Sequence, residues 1–205
     1  MKLKERLYIL FVLLGMVVTY VLLSRTTYNE VDITNAIDRV KGNLDENQEI
    51  IVFDSKNPFN FRDILKDLDQ ISDQRVYAVI TYPSIKKDKY PVVVGVAGSL
   101  GWSSHHLEYL QRYRDMGIAT VTLHSFSSRE VNSTVGEQVS VTIAMMVHDS
   151  YMLLSDLNKK DNIDINKVAI TGWSLGGGVS LFSAWEDVQI QLTPNLKFAA
   201  HLPIY

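Results

Sequence analysis

The chain has 205 residues, of which 46% are hydrophobic and 21% charged, a composition typical of a globular protein rather than a disordered one. Its formal net charge is −3 at pH 7, and its basic residues cluster only at the extreme N-terminus, so we expect no nucleic-acid partner. Cysteine is absent, which excludes disulfides, thiolate nucleophiles and cysteine-bound metal ions.

Residues 1–24 are predicted to be a signal anchor separate from the folded domain. A basic stretch, "MKLKER", precedes the uncharged run "LYILFVLLGMVVTYVLL" (7–23), which gives roughly 25 Å of helix, near the lower limit for crossing a bilayer. The run ends in bulky residues, which favours an uncleaved anchor over a cleaved signal or a buried helix. By the positive-inside rule we expect a single-pass membrane protein whose domain lies on the extracytoplasmic (periplasmic) side, or a secreted domain if the signal is cleaved.

The first half of the remaining chain contains three predicted strands. Residues 25–48 are polar and weakly patterned, which indicates a linker or a short amphipathic helix before a domain at 49–205. The predicted elements are a strand in "EIIVFDS" (49–55), a loop leading into a helix in "NPFNFRDILKDLDQI" (57–71), a strand in "QRVYAVITYP" (74–83) and a strand in "YPVVVGVAG" (90–98). The last of these is a continuous β-branched run, as expected of a strand buried on both faces.

The second half alternates helices and strands. A helix is predicted in "SSHHLEYLQRYRDMG" (103–117), capped by Ser103 or Ser104 and ended by Gly117, and a buried strand follows at 118–123. "TVGE" (134–137) has the spacing of a capping box, which predicts a long helix through about Asn158 with Val139 on its apolar stripe. The remaining elements are a strand in "KVAITGWS" (167–174), a helix in "LGGGVSLFSAW" (175–185) and a strand in "LKFAAHLPIY" (196–205).

This alternation predicts an α/β fold with a mostly parallel sheet and helices on both faces. Functional sites in such sheets lie at the carboxyl ends of the strands. Gly98, Ser99, His124 and Ser174 all lie at the carboxyl ends of predicted strands, so we expect the site there.

Gly172, Trp173, Ser174, Leu175 and Gly176 form a G-x-S-x-G pattern directly after a strand and before a helix. In this context the pattern predicts a nucleophile elbow, a sharp turn that holds the serine in a strained conformation with its hydroxyl exposed. The amide after the serine would lie at a helix N-terminus, where it favours an oxyanion. The alternative is a glycine-rich turn without chemistry.

The segments "PVVVGVAGSLGWSSHH" (91–106), "SFSSREVNSTVGEQ" (125–138) and "AITGWSLGGG" (169–178) together resemble the dienelactone hydrolase family of the α/β-hydrolase fold, over roughly residues 75–205. The resemblance implies that Ser174 is the nucleophile and that the amides of Leu175 and Ser99 form the oxyanion hole. It implies a substrate pocket around Gly98, Trp102 and Phe126, and His124 is a further candidate for substrate contact. No cofactor is implied.

The acid and base of a Ser-Asp-His triad are not evident in the sequence. In this fold they follow the serine after later strands, and only 31 residues follow Ser174. These include Glu186, Asp187 and His201, but His201 lies within a predicted strand and is expected to be a core or sheet-edge residue. We therefore expect the triad Asp and His, and the last strands of the sheet, beyond the end of the given chain.

The other histidines predict no second site. His105 and His106 begin a helix and are expected at the surface or in a cap, whereas His148 lies within a helix and is expected to be structural. The sequence has neither metal-ligand spacing nor a nucleotide-binding glycine motif. The leading hypothesis is a serine hydrolase acting on an ester, lactone or similar small acyl substrate. The alternatives are a non-catalytic binding domain and a serine peptidase of the same fold.

Overall fold

The structure is a computed structural model that describes residues 28–205, so the predicted anchor at 7–23 lies outside the described residues. Across residues 28–205, no helix is both long enough and apolar enough to cross a membrane. The described residues form one six-stranded sheet with helices packed against it.

The sheet has the strand order β1-β2-β4-β3-β5-β6. The strands are β1 (Gln48–Lys56), β2 (Asp73–Thr81), β3 (Tyr90–Val96), β4 (Ala119–Leu123), β5 (Ile163–Trp173) and β6 (Ala200–Ile204). The pairs β3–β4, β3–β5 and β5–β6 are parallel, whereas β1 and β4 each pair with β2 in antiparallel fashion. The sheet is therefore mostly parallel, as predicted, with an antiparallel edge formed by its first two strands.

Five α-helices accompany these strands in the described part of the chain. They are α1 (Thr34–Lys41), α2 (Ser104–Asp115), α3 (Ile143–Leu157), α4 (Leu175–Phe182) and α5 (Glu186–Leu192). Helix α1 lies within the predicted linker, which agrees with the short-helix alternative. The helix predicted within 57–71 is instead a π-helical turn, Asp63–Asp67, followed by a 3-10 turn, Leu68–Gln70.

The central strand β3 is apolar and almost fully buried because helices cover both faces of the sheet there. On one face, Val93 of β3 packs with Leu110 of α2. On the other face, Val92 and Val94 belong to the larger core cluster, which includes residues of α3 such as Leu154. Side chains alternate between the two faces of a strand, so a continuous run of valines supplies both cores.

The capping box predicted at 134–137 is wrong. Helix α3 begins at Ile143, and its N-cap is Thr142, whose hydroxyl accepts a hydrogen bond from the Met145 amide at 3.2 Å. Gly136 has a φ of +90°, which is incompatible with a helix, and Val139 lies outside the helix with half of its surface exposed. The segment before Thr142 is therefore a surface turn.

Both ends of the helix predicted at 103–117 agree with the structure, whereas the helix predicted at 175–185 begins as predicted but ends at Phe182. Helix α2 has Ser103 as its N-cap, in a capping box with the imidazole of His106. It ends before Gly117, which has a φ of +76°. Helix α4 follows directly after β5, with Ser174 as its N-cap residue.

Candidate active site

Ser174 lies at a sharp turn between the end of β5 and the start of α4. Its φ of 52° and ψ of −112° are rare for a residue with a side chain, and the residue is exposed. Its amide donates a hydrogen bond to the carbonyl of Ile204 at 2.9 Å, and its carbonyl accepts one from the amide of Gly178 at 3.0 Å. These two hydrogen bonds hold the backbone of Ser174 in a strained conformation, and the turn leaves its side chain exposed.

The glycines around Ser174 are required by close backbone contacts. A Cβ atom on Gly172 would lie 2.1 Å from the carbonyl oxygen of Gly176. A Cβ atom on Gly176 would lie 2.2 Å from the carbonyl oxygen of Val96, and one on Gly177 would lie 2.5 Å from that of Ile204. The start of α4 is therefore packed directly against the backbone ends of β3 and β6, and no larger residue fits.

The loop after β3 lies beside Ser174. A Cβ atom on Gly98 would be 3.7 Å from the Cβ atom of Ser174, and the amide of Gly101 donates to the carbonyl of Gly98 at 2.9 Å. The carbonyl of Ser99 accepts a hydrogen bond from the Thr134 amide at 2.9 Å, which ties the loop to the segment before α3. We call residues 98–101 the Gly98 loop.

Two backbone amides near Ser174 have no partner. Within residues 28–205, neither the amide of Ser99 nor that of Leu175 donates a hydrogen bond to the protein. Leu175 is the first residue of α4, where the helix dipole adds positive potential. Free amides beside an exposed serine hydroxyl are the donors that stabilise a negatively charged oxygen.

A cavity of about 290 Å³ opens on the side of the Gly98 loop near the ends of β3 and β4. Its lining includes Ala97, Trp102, His124, Ser125, Phe126 and Asn132. Three of the four predicted pocket residues thus line one cavity, whereas Gly98 contacts the turn at Ser174 instead. The indole of Trp102 packs against Gly95, where a Cβ atom would lie only 3.0 Å from the ring.

A buried ion pair, which no sequence pattern predicts, fixes the wall of this cavity that carries Ser125. Arg129 lies in a 3-10 turn, Ser127–Arg129, after β4, and its guanidinium donates to both carboxylate oxygens of Asp149 in α3, at 2.8 and 3.0 Å. Arg129 also donates to the Ser125 carbonyl at 3.1 Å and to the Asn57 side chain at 2.7 Å. Asp149 and Arg129 are far apart in sequence without a shared motif, so only the tertiary structure reveals the pair.

His124 lies in the cavity wall as an uncharged ring. It stacks on Tyr77 with ring centroids 4.7 Å apart, and its Nε2 atom lies 3.1 Å from the hydroxyl of Thr122. Burial lowers the pKa of His124 to about 4, so the ring is neutral at pH 7. The predicted position of His124 at the active edge of the sheet agrees with the structure.

The remaining histidines lie in structural positions. His106 is buried and stacks on Trp173, and burial together with the neighbouring His105 lowers its pKa. His148 is buried in α3, 2.8 Å from the hydroxyl of Ser55. His201 donates from Nδ1 to the carbonyl of Ser180 at 3.0 Å, and burial lowers its pKa.

The described residues supply no general base at Ser174. None of the five histidines, and no carboxylate in residues 28–205, is hydrogen-bonded to the Ser174 hydroxyl. This part of the chain also holds no group of three histidine, aspartate or glutamate side chains arranged to bind a metal ion. The site consists of an exposed serine, two free amides and an uncharged cavity.

Comparisons with solved structures find similar chains at low sequence identity. Est1E from Butyrivibrio proteoclasticus is 17% identical with a TM-score of 0.43, covering 56% of this chain and 43% of Est1E. A dienelactone hydrolase-like promiscuous phosphotriesterase from metagenomic libraries is 17% identical with a TM-score of 0.46. The match covers 67% of this chain and 55% of the phosphotriesterase. A lipase/esterase from Lactobacillus plantarum is 10% identical with a TM-score of 0.47. The match covers 72% of this chain and 55% of the lipase/esterase. The chain spans about half the length of these structures.

A comparison with curated proteins finds no match. A sequence model described as PETase, PET hydrolase-like, matches residues 67–199, which is well over half of the chain. The matched region runs from before β2 to the residue before β6, and it includes the Gly98 loop, the cavity and the turn at Ser174. This agrees with the resemblance to dienelactone hydrolases and with the hydrolase fold. The chain belongs to the PET hydrolase-like family of α/β-hydrolases.

Proposed function

We propose that this chain carries the nucleophile and oxyanion hole of a serine hydrolase that cleaves carboxylic esters or lactones. The observation that carries the proposal is the exposed Ser174 hydroxyl at a φ of 52°, held between β5 and α4 beside the free amides of Ser99 and Leu175. Membership of a hydrolase family supports the same reaction.

In the proposed reaction, the Ser174 oxygen adds to the ester carbonyl carbon. The carbonyl oxygen becomes an oxyanion and accepts hydrogen bonds from the amides of Ser99 and Leu175. The carbon–oxygen bond to the alcohol then breaks, and the alcohol leaves with a proton. Water hydrolyses the acyl-serine, which releases the acid and restores Ser174.

The serine proton requires a base, and no histidine within residues 28–205 is hydrogen-bonded to the Ser174 hydroxyl. We therefore propose that further polypeptide supplies the histidine and the acid that orients it. The amides alone account for only part of the rate enhancement in serine hydrolases, so we expect the 205-residue chain by itself to react slowly. Addition of imidazole as an external base is expected to raise the Ser174-dependent rate.

Labelling with a fluorophosphonate probe tests the proposal directly. We expect the probe to label the wild-type chain on Ser174, faster in the presence of imidazole, and not to label Ser174→Ala. Ser84→Ala, which removes an exposed serine away from the site, is the matched control and should be labelled like the wild type. Equal labelling of wild type and Ser174→Ala contradicts the proposal, as does a wild-type chain that stays unlabelled with imidazole present.

The proposal includes an extracytoplasmic location with residues 7–23 as a membrane anchor. The support is the uncharged apolar run after a basic N-terminus. A protease added outside intact spheroplasts should digest the domain, while a chain lacking residues 1–24 should stay protected inside the cell. Protection of the full chain in intact spheroplasts would overturn this location.

A further inference from the structure

The described chain begins at the edge of the sheet that carries the candidate active site. Tyr28, the first described residue, packs against the main core, and its hydroxyl donates a hydrogen bond to the carbonyl of Val139. The amide of Val31 donates to the side chain of Gln74 at 3.1 Å, and that side chain donates to the carbonyl of Ser128 at 2.9 Å. Because β2 runs antiparallel to β4, Gln74 at the start of β2 lies at the edge where the parallel strands end.

Backbone hydrogen bonds continue from there to the Gly98 loop. Gln138 precedes Val139, and its amide donates to the carbonyl of Thr134 at 3.1 Å. The amide of Thr134 donates in turn to the carbonyl of Ser99 at 2.9 Å, within the Gly98 loop. A short series of direct contacts therefore connects the start of the described chain to the loop beside the serine turn.

The predicted anchor ends close to this edge in the sequence. Four residues, 24–27, separate the apolar run 7–23 from Tyr28. The five residue steps from 23 to 28 span at most roughly 18 Å when fully extended. On the basis of the proposed anchor, Tyr28 therefore stays within this distance of the bilayer surface.

The surface at this edge is apolar and nearly uncharged. Leu100, Val135 and Val139 are each more than half exposed, and we call these three side chains the apolar rim. They lie on two hydrogen-bonded segments, 97–104 and 131–139, which together contain a single charged residue. Exposed apolar side chains on connected loops, with few charges among them, are typical of a surface that contacts an apolar partner. The short tether makes the bilayer that partner.

The tether and the apolar rim act together. Three exposed apolar side chains are too few to hold a free domain on a bilayer, but a short tether raises their local concentration at its surface. The rim also borders the cavity, because Leu100 lines it together with Val131 and Asn132. A hydrophobic ester held in the membrane could then reach the site without crossing water.

The geometry points to a membrane-facing active site. On the basis of the proposed function and its anchor, we infer that the edge carrying Ser174 faces the bilayer and that the apolar rim inserts into the interfacial region. The substrates are then hydrophobic esters held in the membrane rather than esters dissolved in water.

A fluorophore placed on the rim tests the orientation. The chain has no cysteine, so Leu100→Cys and Val135→Cys each provide one labelling position. Ile85→Cys is the matched control, because Ile85 is also half exposed but lies between β2 and β3, at the opposite edge of the sheet. Each full-length variant is labelled with the fluorophore NBD and reconstituted into phosphatidylcholine vesicles that contain nitroxide-labelled lipid.

We expect the nitroxide to quench the fluorophore at positions 100 and 135 but not at position 85, since quenching requires close contact with the lipid. Equal quenching at the two edges overturns the inference. A full chain that does not associate with the vesicles overturns it as well.

Two fluorophosphonates test the substrate class in the same vesicles, with imidazole present. One carries two long alkyl chains and stays in the membrane, and the other carries a short polyether and stays in water. Both should label Ser174 in the wild type. Insertion of about 30 Gly and Ser residues between Thr26 and Thr27 lets the edge leave the membrane, so labelling by the lipid-borne probe should fall about ten-fold. Labelling by the soluble probe should stay unchanged.

An unchanged ratio of the two labelling rates after the insertion overturns the membrane-borne substrate. A failure of the proposed function looks different, because neither probe then labels Ser174 while quenching still distinguishes position 100 from position 85. In that case the orientation stands and its link to ester hydrolysis falls. If the soluble probe labels Ser174 and the rim is not quenched, the hydrolase stands and the orientation falls.

Discussion

Gly172 and Gly176 face each other across the turn that carries Ser174, and a Cβ atom on Gly172 would lie 2.1 Å from the carbonyl oxygen of Gly176. This contact involves backbone rather than a movable side chain. The turn can therefore be this sharp only while both residues are glycine, and its sharpness is what exposes the serine. The geometry of the candidate nucleophile thus depends on residues that take no part in its chemistry.

Substitution of Gly172 by alanine should therefore destabilise the protein by more than about 3 kcal/mol, because the backbone must shift to remove the clash. Gly178→Ala is the matched control, since a Cβ atom there would meet only the side chain of Ile143 at 3.4 Å. Within α4 the control change should be neutral or stabilising by up to about 1 kcal/mol. Urea denaturation measures both, and equal stability of the two variants would refute the contact.

Removing one partner of the buried pair Arg129–Asp149 should destabilise the protein much more than removing both partners together. Asp149→Leu leaves a guanidinium uncompensated in the core and should cost about 3 to 5 kcal/mol of unfolding free energy. The double variant with Arg129→Met should recover a large part of that loss, because no charge remains buried.

A surface pair provides the comparison for this experiment. Lys159→Ala breaks the partly exposed ion pair with Asp156, which should change stability by less than about 1 kcal/mol. Thermal unfolding of the four proteins at one pH measures these differences. If Asp149→Leu were no more destabilising than Lys159→Ala, the buried pair would not hold the cavity wall.

His148 should make stability fall in mildly acidic solution. Burial lowers its pKa from 6.5 to about 4, an effect partly opposed by Asp149 and reinforced by Arg129 and Lys56. Between these values the unfolded chain binds a proton that the folded protein does not, so stability rises with pH. The contribution of the neutral His148 ring to the free energy of unfolding is fully present above pH 6.5. It is lost as the pH falls towards 4, which lowers the free energy of unfolding by up to about 3 kcal/mol.

The variant His148→Gln isolates this effect, because glutamine does not titrate. Its unfolding free energy, measured in urea from neutral pH down to the pKa of the buried ring, should decline less steeply than that of the wild type. Parallel curves for the two proteins would show that His148 does not carry the pH dependence.

Thr142 rather than Glu137 should control the start of α3. Thr142→Ala removes an N-cap that also donates to the Pro58 carbonyl, and it should cost about 1 to 2 kcal/mol. Glu137→Ala removes the hydrogen bonds that the Glu137 carboxylate accepts from Val139 and Ser140 in an exposed turn, and it should cost less than about 1 kcal/mol. Equilibrium unfolding separates the two, and a larger loss for Glu137→Ala than for Thr142→Ala would show that the Thr142 cap does not control the start of α3.

Local sequence signals were sufficient for most elements of the sheet. The β-branched runs at 90–98 and 118–123 predict buried strands because such residues pack well on a pleated surface, and both lie in the sheet. Gly117 predicts the end of α2 because a left-handed residue closes that helix. The capping box at 134–137 failed because a four-residue pattern does not reveal that Gly136 takes a positive φ.

The sequence by itself determined where the serine turn lies and why its neighbours are glycines, because strand, turn and helix are adjacent in the chain. The tertiary structure decided which residues share the cavity, that Ser125 lacks a partner there, and that Arg129 pairs with Asp149. These relationships depend on strand order and on helix packing between distant segments. No local propensity encodes them, since each residue's environment is created by the chain folding around it.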